Sequence, residues 1–401
     1  MSAELGLIAL LSLLFGYALI GHRLSSTMIT APMIFLLGGY WAYLAGIVDT
    51  EGAEHNLSLL AEVALIVLLF ADAAMINPKA LIRGAAKPAR MLLIGLPLMV
   101  LFGFLAGELL LPGWPIWEIA LLAALLAPTD AALGQAVITN PAIPEPMRRT
   151  LSAESGLNDG LALPFVVFFG CLAVGGVHDE VQVGWGQFVG QQVGFGVLAG
   201  LCVGAVGGWL LRQAQNFHYT NNALGGIAVL TLSGLAYLFA HELHGNGFIA
   251  AFIAGLTFGQ VLRNRSGFVF EFIETEGQLL MLLAFFAIGA LLIPIGLSFA
   301  TPALIALVAL SLFVLRPAAI WISLMGSGAS RVERAFFGWF GPRGLATALF
   351  ALLALGAFEG LRMREEILAA AAVAVMASAV LHGASAAPAG RWFERHHPKK
   401  A

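Results

Sequence analysis

Apolar residues come in runs of about twenty along the whole chain, each long enough to cross a bilayer as one helix. Short clusters of Gly, Pro, Asn and charged residues separate them. Thirteen such runs can be drawn: 5–21, 28–48, 57–76, 91–111, 116–138, 150–174, 188–211, 223–240, 245–262, 277–297, 301–325, 335–355 and 367–386. The pattern predicts an all-α polytopic membrane protein with thirteen transmembrane helices. The first run has no basic stretch before it and no clear small-residue cleavage site after it. It is therefore expected to stay as a span rather than act as a signal peptide.

Two runs break the pattern. The fifth contains LLAPTDAALG (125–134) and the twelfth FGWFGPRGLATA (337–348). Pro128 and Pro342 each remove a backbone N–H and disfavour helix in the residue before. Irregular backbone at that depth survives only where it is buried in protein or lines a cavity. The two runs are seven apart, so they hold equivalent places in a first unit (1–174, runs one to six) and a second (223–401, runs eight to thirteen). Run seven (175–222) then connects the units. Because seven is odd, the units enter the membrane from opposite sides. Two inverted-topology six-helix repeats with crossed discontinuous helices follow, and matching interruptions of this kind mark the binding site of a secondary transporter.

Composition sharpens the class. Of 401 residues 60% are hydrophobic and 11% charged, with a mean hydropathy of +0.90. A net charge of −3 without a basic domain gives no reason to expect nucleic acid. Cys171 and Cys202 lie in apolar runs and make no disulfide framework. Lysine and arginine collect in cytoplasmic loops. Placing the N-terminus outside puts Arg23, Lys79 to Arg90, Arg148, Arg149, Arg212, Arg263, Arg265, Arg331, Arg334 and the C-terminal cluster of Arg391, Arg395, Lys399 and Lys400 inside. Only Arg362 and Arg364 then fall outside, and Arg316 and Arg343 fall within spans. A membrane-spanning carrier is expected, not an enzyme, with no resident cofactor.

The candidate chemistry lies in AESGLNDGLALP (153–164). Asp159 stands about 14 Å into its run at about 1.5 Å per residue, near the middle of a ~30 Å hydrocarbon core. Asp130 and Arg343 reach similar depth, and each such charge costs at least about 2.5–3.5 kcal/mol to insert. Ser155 and Asp159 share one helical edge at i, i+4, and Glu154 and Asn158 the next. Gly156 and Gly160 repeat that spacing and let another helix come close. A small hard cation wants several oxygens. Asp159 and Ser155 offer two, and carbonyls freed near Pro128, with that of Thr129, offer more. Asp130 is expected to cap the half-helix that follows it. Asp159 lacks that help and is the carboxylate expected to swap a proton for a cation. Glu154 is expected to pair with Arg343, tying the two repeats together.

Plainer readings stand beside these. Asp130 and Asp159 would also serve as a helix cap and an interhelical bond. Ser155 and Thr129 would also bond their own backbone, and Asn158 shapes the site more naturally than it binds an ion. Arg316, beside Pro317, reads as a helix–helix contact or a snorkelling cation. Glu62 and Asp72 read as interfacial or structural, His241 and His244 as loop residues, and Glu271, Glu274 and Glu276 as a solvated face.

The motifs APTDAALG (127–134), ESGLNDG (154–160), GNGFIAAFIAGL (245–256) and FGPRGLATALF (340–350) together resemble the NhaP-type sodium/proton antiporters, prokaryotic relatives of the eukaryotic sodium–proton exchangers. The resemblance covers essentially the whole chain. It implies thirteen helices, a six-helix core crossing two unwound spans, a homodimer built on the other helices, and elevator-like transport. It places the cation at Asp159, Ser155 and Glu154, with the Thr129 main chain contributing and Asp130 close by. It also pairs the acid at Glu154 with the arginine at Arg343. Asn158 before Asp159, where electrogenic relatives carry two aspartates, implies one-for-one electroneutral exchange of Na+ or Li+ for H+. A K+/H+ antiporter on the same scaffold is the alternative; a cation channel and an organic-anion symporter fit less well. Many relatives carry proline where Ala131 stands, which touches cation preference. With only residues 387–401 after the last run, no regulatory tail is expected.

Overall fold

The computed structural model describes residues 2–24, 27–48, 54–76, 85–175, 185–262 and 267–396. Lys79, Arg83, Arg263, Arg265, Lys399 and Lys400, used above to orient the chain, lie outside them, as do the side chains of Glu271 and Glu274. Among the described residues all regular structure is helical. That is what hydrocarbon demands, because a helix satisfies its backbone internally. Nine of the described helices are long and apolar enough to cross a membrane, and four more are apolar but shorter.

In chain order the helices are α1 (Ser2–Leu24), α2 (Ala31–Leu44), α3 (Glu54–Met75), α4 (Ala86–Leu110), α5 (Ile116–Leu125), α6 (Ala131–Ile138) and α7 (Glu145–Ala173). Then come α8 (Trp185–Asn216), α9 (Asn222–Glu242), α10 (Gly247–Leu262) and α11, which starts as Gly267–Ala287 and ends as Ile293–Phe299. The last are α12 (Pro302–Ser323), α13 (Arg331–Trp339), α14 (Leu345–Ala357) and α15 (Arg364–His396). Both breaks read from the sequence are present. The fifth run is split into α5 and α6, and the twelfth into α13 and α14.

Prolines inside the other helices are absorbed rather than breaking them. α4, α11 and α12 each carry a π-helical turn, at Met91–Gly95, Ile288–Leu292 and Ser311–Leu315. The residue just before each proline donates five residues back: Leu96 to Met91, Ile293 to Ile288, Arg316 to Ser311. The wider turn makes room for Pro97, Pro294 and Pro317, which have no N–H to give.

Caps fix the ends. Asn221 Oδ1 accepts from Leu224 N–H at 2.9 Å to start α9. Ser330 and Glu333 form a reciprocal capping box on α13. Glu333 also pairs with Lys87 at the start of α4. Arg90 donates to the carbonyls of Ser323 (2.7 Å) and Met325 (2.5 Å), closing the end of α12. The start of α4 thus grips both the end of α12 and the start of α13.

Glycine sets the closest helix contacts. A Cβ at Gly156 would strike the Phe252 ring and one at Gly160 the Ile249 side chain, so this strip of α7 lies flat against α10, as its spacing predicts. On the far side of α10, Gly255 and Gly259 lie against the backbone of α3 at Phe70 and Ala74. Outward, α1 and α9 present leucine and phenylalanine, with Phe15, Leu19, Leu235 and Leu238 all exposed.

Glu118 carries a tie that the sequence reading did not assign. It is 1% exposed in the first turn of α5. Its two carboxylate oxygens accept from the N–H groups of Arg362 (3.0 Å) and Met363 (2.8 Å), just ahead of α15. Hydrogen bonds to a charged acceptor contribute about 1.5–3 kcal/mol each. Glu118→Ala is expected to lower the unfolding temperature in detergent by more than Glu118→Gln does, at a cost of about 3–6 kcal/mol for the two bonds. Equal melting of wild type and Glu118→Ala would contradict this tie.

Candidate functional site

The site is built where the two breaks touch. α5 ends at Leu125 and α6 begins at Ala131; α13 ends at Trp339 and α14 begins at Leu345. Across the gap, Asp130 N–H donates to the Pro342 carbonyl at 2.8 Å. The Asp130 carboxylate accepts from Leu345 N–H, the first amide of α14. Asp130 was expected to cap its own half-helix. It does stand directly before α6, and Gly134 N–H donates to its carbonyl at 3.3 Å. Its side chain, however, caps the opposing half-helix. The reason is steric: Gly344 has no side chain, and a Cβ there would run into the Asp130 carboxylate.

The opposite charge sits at the opposite end. α13 points its negative C-terminal end into the break, and Arg316 Nη2 donates there to the Phe337 carbonyl at 3.2 Å. Gly341 leaves the room, since a Cβ on it would overlap the Arg316 guanidinium. His382 on α15 sets one ring nitrogen 2.9 Å from the Trp339 carbonyl and the other 3.0 Å from that of Ser378. Ser378 Oγ in turn accepts from Arg343 N–H at 2.8 Å. Sequence reasoning gave His382 and Ser378 no role.

α7 brings the acidic stretch against this crossing. Glu154, Ser155, Asn158 and Asp159 are each buried, as are Thr129 and Asp130. Thr129 is placed by its side chain. Its Oγ1 donates to Glu154 Oε2 (3.2 Å), lies 3.3 Å from Ser155 Oγ, and accepts from Asn158 Nδ2 (3.0 Å). Asn158 Nδ2 also reaches Glu154 Oε1 at 3.3 Å. One net therefore holds Thr129, Glu154, Ser155 and Asn158. The charges of Asp130 and Glu154 act on Asp159. Asp159 Oδ1 and Asn158 Oδ1 are buried with no hydrogen-bond partner among the described residues.

The expected Glu154–Arg343 pair is not what the structure contains. Arg316 takes that place, with Nη1 donating to Glu154 Oε1 at 3.2 Å and Nη2 to Oε2 at 3.4 Å. Arg316 is 1% exposed, so it neither snorkels nor makes a simple packing contact. Arg343 remains buried nearby and feels both Arg316 and Glu154. Its Nη1 donates to the Gly341 carbonyl at 2.9 Å, and its Nε has no partner among the described residues. Depth along the sequence put both arginines at the right level; the direction of approach, from helix α12 for Arg316 and from the irregular segment between α13 and α14 for Arg343, decided between them. Of the two carboxylates expected to be structural, Glu62 accepts from Tyr237 Oη and Asp72 from Gln135 Nε2 at 3.3 Å.

Two cavities flank α6. One of about 590 Å³ is lined by Tyr17, Gln135, Thr139, Asn140, Gln278 and Arg391 among others. The other, of about 440 Å³, includes Asp72, Gln135, Glu145, Arg148 and Ser152. Both lie toward the end of the molecule that carries residues 139–149.

Removing one partner of a buried ion pair costs about 3–5 kcal/mol, because a charge is left uncompensated. Arg316→Ala is therefore expected to reduce folded yield and melting temperature far more than Arg343→Ala, with Glu154→Gln in the same chain recovering part of the loss. Thermal unfolding of the purified variants checks the order; a larger loss for Arg343→Ala would contradict the pairing.

Known proteins share this fold and part of this sequence. The K(+)/H(+) antiporter NhaP2 of Shewanella baltica (strain OS223) is 28% identical over 283 residues, which is 70% of this chain but 48% of that protein. The chain thus spans about half the length of the Shewanella relatives it matches. The K(+)/H(+) antiporter NhaP of Alkalimonas amylolytica is 26% identical over 98% of this chain and 68% of its own length. Among solved structures, the sodium proton antiporter MjNhaP1 from Methanocaldococcus jannaschii at pH 8 matches with a TM-score of 0.76 at 20% identity, over 98% of this chain and 99% of that one. The NhaP likeness read from the four motifs agrees with these relatives. The family model described as "Sodium/hydrogen exchanger, transmembrane" matches residues 7–392. With that match running through both broken helices and nearly the full length, the chain belongs to the sodium/hydrogen exchanger family.

Proposed function

We propose that this protein is a secondary antiporter that exchanges a monovalent cation for a proton, the two competing for Asp159. The observation that carries the reading is the buried, unpartnered Oδ1 of Asp159 beside two interrupted helices. An orphaned carboxylate oxygen at that depth is costly unless something binds it. A proton or a small cation answers that cost, and each excludes the other. Ser155, Thr129 and Glu154 are the neighbouring oxygens, Asp130 holds the crossing, and Asn158, Arg343, Pro128 and Pro342 shape it.

The finer architecture belongs to the same proposal. The nine long helices and the four shorter apolar ones make up thirteen spans. The two breaks are seven spans apart. So are α4 and α12, each with a π turn ahead of a proline. Both correspondences support two inverted repeats joined by α8. The arginines of the described loops support an N-terminus outside and a cytoplasmic C-terminus, in a prokaryotic inner membrane. Cavities toward the end carrying residues 139–149 support access from one side at a time, as an elevator requires. A homodimer is proposed from the family likeness.

Exchange is proposed to be one-for-one and electroneutral, because Asn158 stands beside Asp159 in place of a second carboxylate. A difference of one pH unit, ~1.4 kcal/mol, then sustains at most about a tenfold cation gradient. For the cation, Na+ or Li+ is proposed, with K+ as the second reading: the relatives from Shewanella and Alkalimonas are named K(+)/H(+) antiporters, whereas MjNhaP1 is named a sodium proton antiporter.

Everted vesicles carrying the protein are expected to release protons when Na+ or Li+ is added, at a rate indifferent to an imposed membrane potential. Asp159→Asn is expected to abolish this release at unchanged expression. Wild-type turnover in Asp159→Asn would remove the central residue from the proposal. A voltage-dependent rate would remove the stoichiometry, and flux without proton coupling would indicate a channel.

A further inference from the structure

α7 stays helical through Pro164. Proline has no N–H, so the carbonyl four residues earlier loses its regular helical donor. That carbonyl belongs to Gly160, the residue after Asp159. It is not left bare: Asn246 Nδ2 donates to it at 3.1 Å. Asn246 is itself 1% exposed, and its other polar groups are engaged elsewhere. Its Oδ1 accepts from Ile249 N–H at 3.0 Å and caps α10, and its own N–H donates to the Gln192 carbonyl of α8 at 2.9 Å. Gly160 makes the approach possible, since a Cβ there would stand 3.2 Å from Ile249 N. A carboxamide anchored on α8 and α10 thus supplies the hydrogen bond that Pro164 withholds, one residue from the carboxylate that carries the ion.

We propose that Asn246 is a latch between the ion-carrying helix α7 and the scaffold of α3, α8 and α10, and that it favours the conformation seen here over the others in the exchange cycle. This rests on the alternating-access reading above. When α7 slides along α10, the bond at 3.1 Å breaks and the Gly160 carbonyl loses its donor. A buried acceptor without a partner disfavours the shifted state, so the strength of this one bond biases the populations. Asn246 is a positioning residue in this account; it does not touch the ion.

The test separates the latch from ordinary capping. Asn246→Ser keeps an oxygen that caps α10 but is too short to reach Gly160. It is expected to lower the ratio of latched to unlatched protein about fivefold, read as a severalfold change in the half-saturating cation concentration at one membrane face. Pro164→Ala gives Gly160 an intrahelical N–H, so alone it is expected to shift the constant in the same direction. Asn246→Ser added to Pro164→Ala is then expected to change it by less than about twofold. Equal effects of Asn246→Ser in both backgrounds, or no shift in Pro164→Ala, would overturn the latch. Should Asn246→Ser fail to fold, Pro164→Ala alone decides. Hydrogen exchange at residues 155–165 in detergent reads the same contact without transport. Asn246→Ser is expected to speed it in the wild-type background and not in Pro164→Ala. If the wild type moves no cation, the antiport proposal fails while hydrogen exchange still accepts or rejects the latch.

Discussion

A helix that ends inside hydrocarbon leaves amides or carbonyls with nothing to bond, and the centre of this molecule is organised by that constraint. Two helices end there. Their breaks satisfy each other through Asp130 N–H on the Pro342 carbonyl, and both half-helix ends of the second break meet a buried charge of the complementary sign. The Asp130 carboxylate covers the amide end of α14, and the Arg316 guanidinium covers the carbonyl end of α13. Once those two charges are fixed, the rest of the site has little freedom. Arg316 holds Glu154, Glu154 holds Thr129 and Asn158, and Asp159 is what remains without a partner on Oδ1.

The glycines around the crossing have a single reason. Gly341 and Gly344 stand where a Cβ would overlap Arg316 and Asp130. The motif GPRG is therefore less about its arginine than about the two spaces that flank it. Arg343 is held by Ser378 and Gly341 and, among the described residues, makes no ion pair with a carboxylate. The ion pair to Glu154 comes from α12, whose π turn at Ser311–Leu315 and Pro317 deliver Arg316 to the break.

How much of this the sequence shows depends on whether the cause is local. Pro128 and Pro342 are local causes, so both breaks could be read directly, and so could the packing strip of Gly156 and Gly160 against a neighbour. The acidic stretch 153–164 was legible because charge at mid-depth is costly wherever it points. Partner choice was not legible. Arg316 and Arg343 lie at similar depth, and what separates them is that Arg316 reaches the break from a turn of α12 whereas Arg343 sits in the irregular segment between α13 and α14. Glu118 near a helix end looks like an interfacial residue until the loop ahead of α15 is seen to fold back on it. Asn246 stands inside a motif that was quoted for likeness alone. Its partner follows from Pro164 only once α10 is known to lie on α7.

Charge counting bears on why the proposed function makes a single cation and a single proton alternatives. The cluster around the crossing holds three carboxylates, Asp130, Glu154 and Asp159, and two guanidiniums, Arg316 and Arg343. With all five ionised it carries one net negative charge. One monovalent cation brings it to zero, and so does one proton on Asp159. A second proton or a divalent ion would leave it positive. Moving an unbalanced charge through hydrocarbon costs kilocalories per mole, so under the proposed function the loaded states would be the mobile ones and the empty site would be held back. The second arginine matters to this balance as much as Asn158 does. Without Arg343 the empty cluster would carry two negative charges, and a single cation would leave it unbalanced. On this view Arg343, which the ion pair does not need, fits the one-for-one exchange proposed for the site.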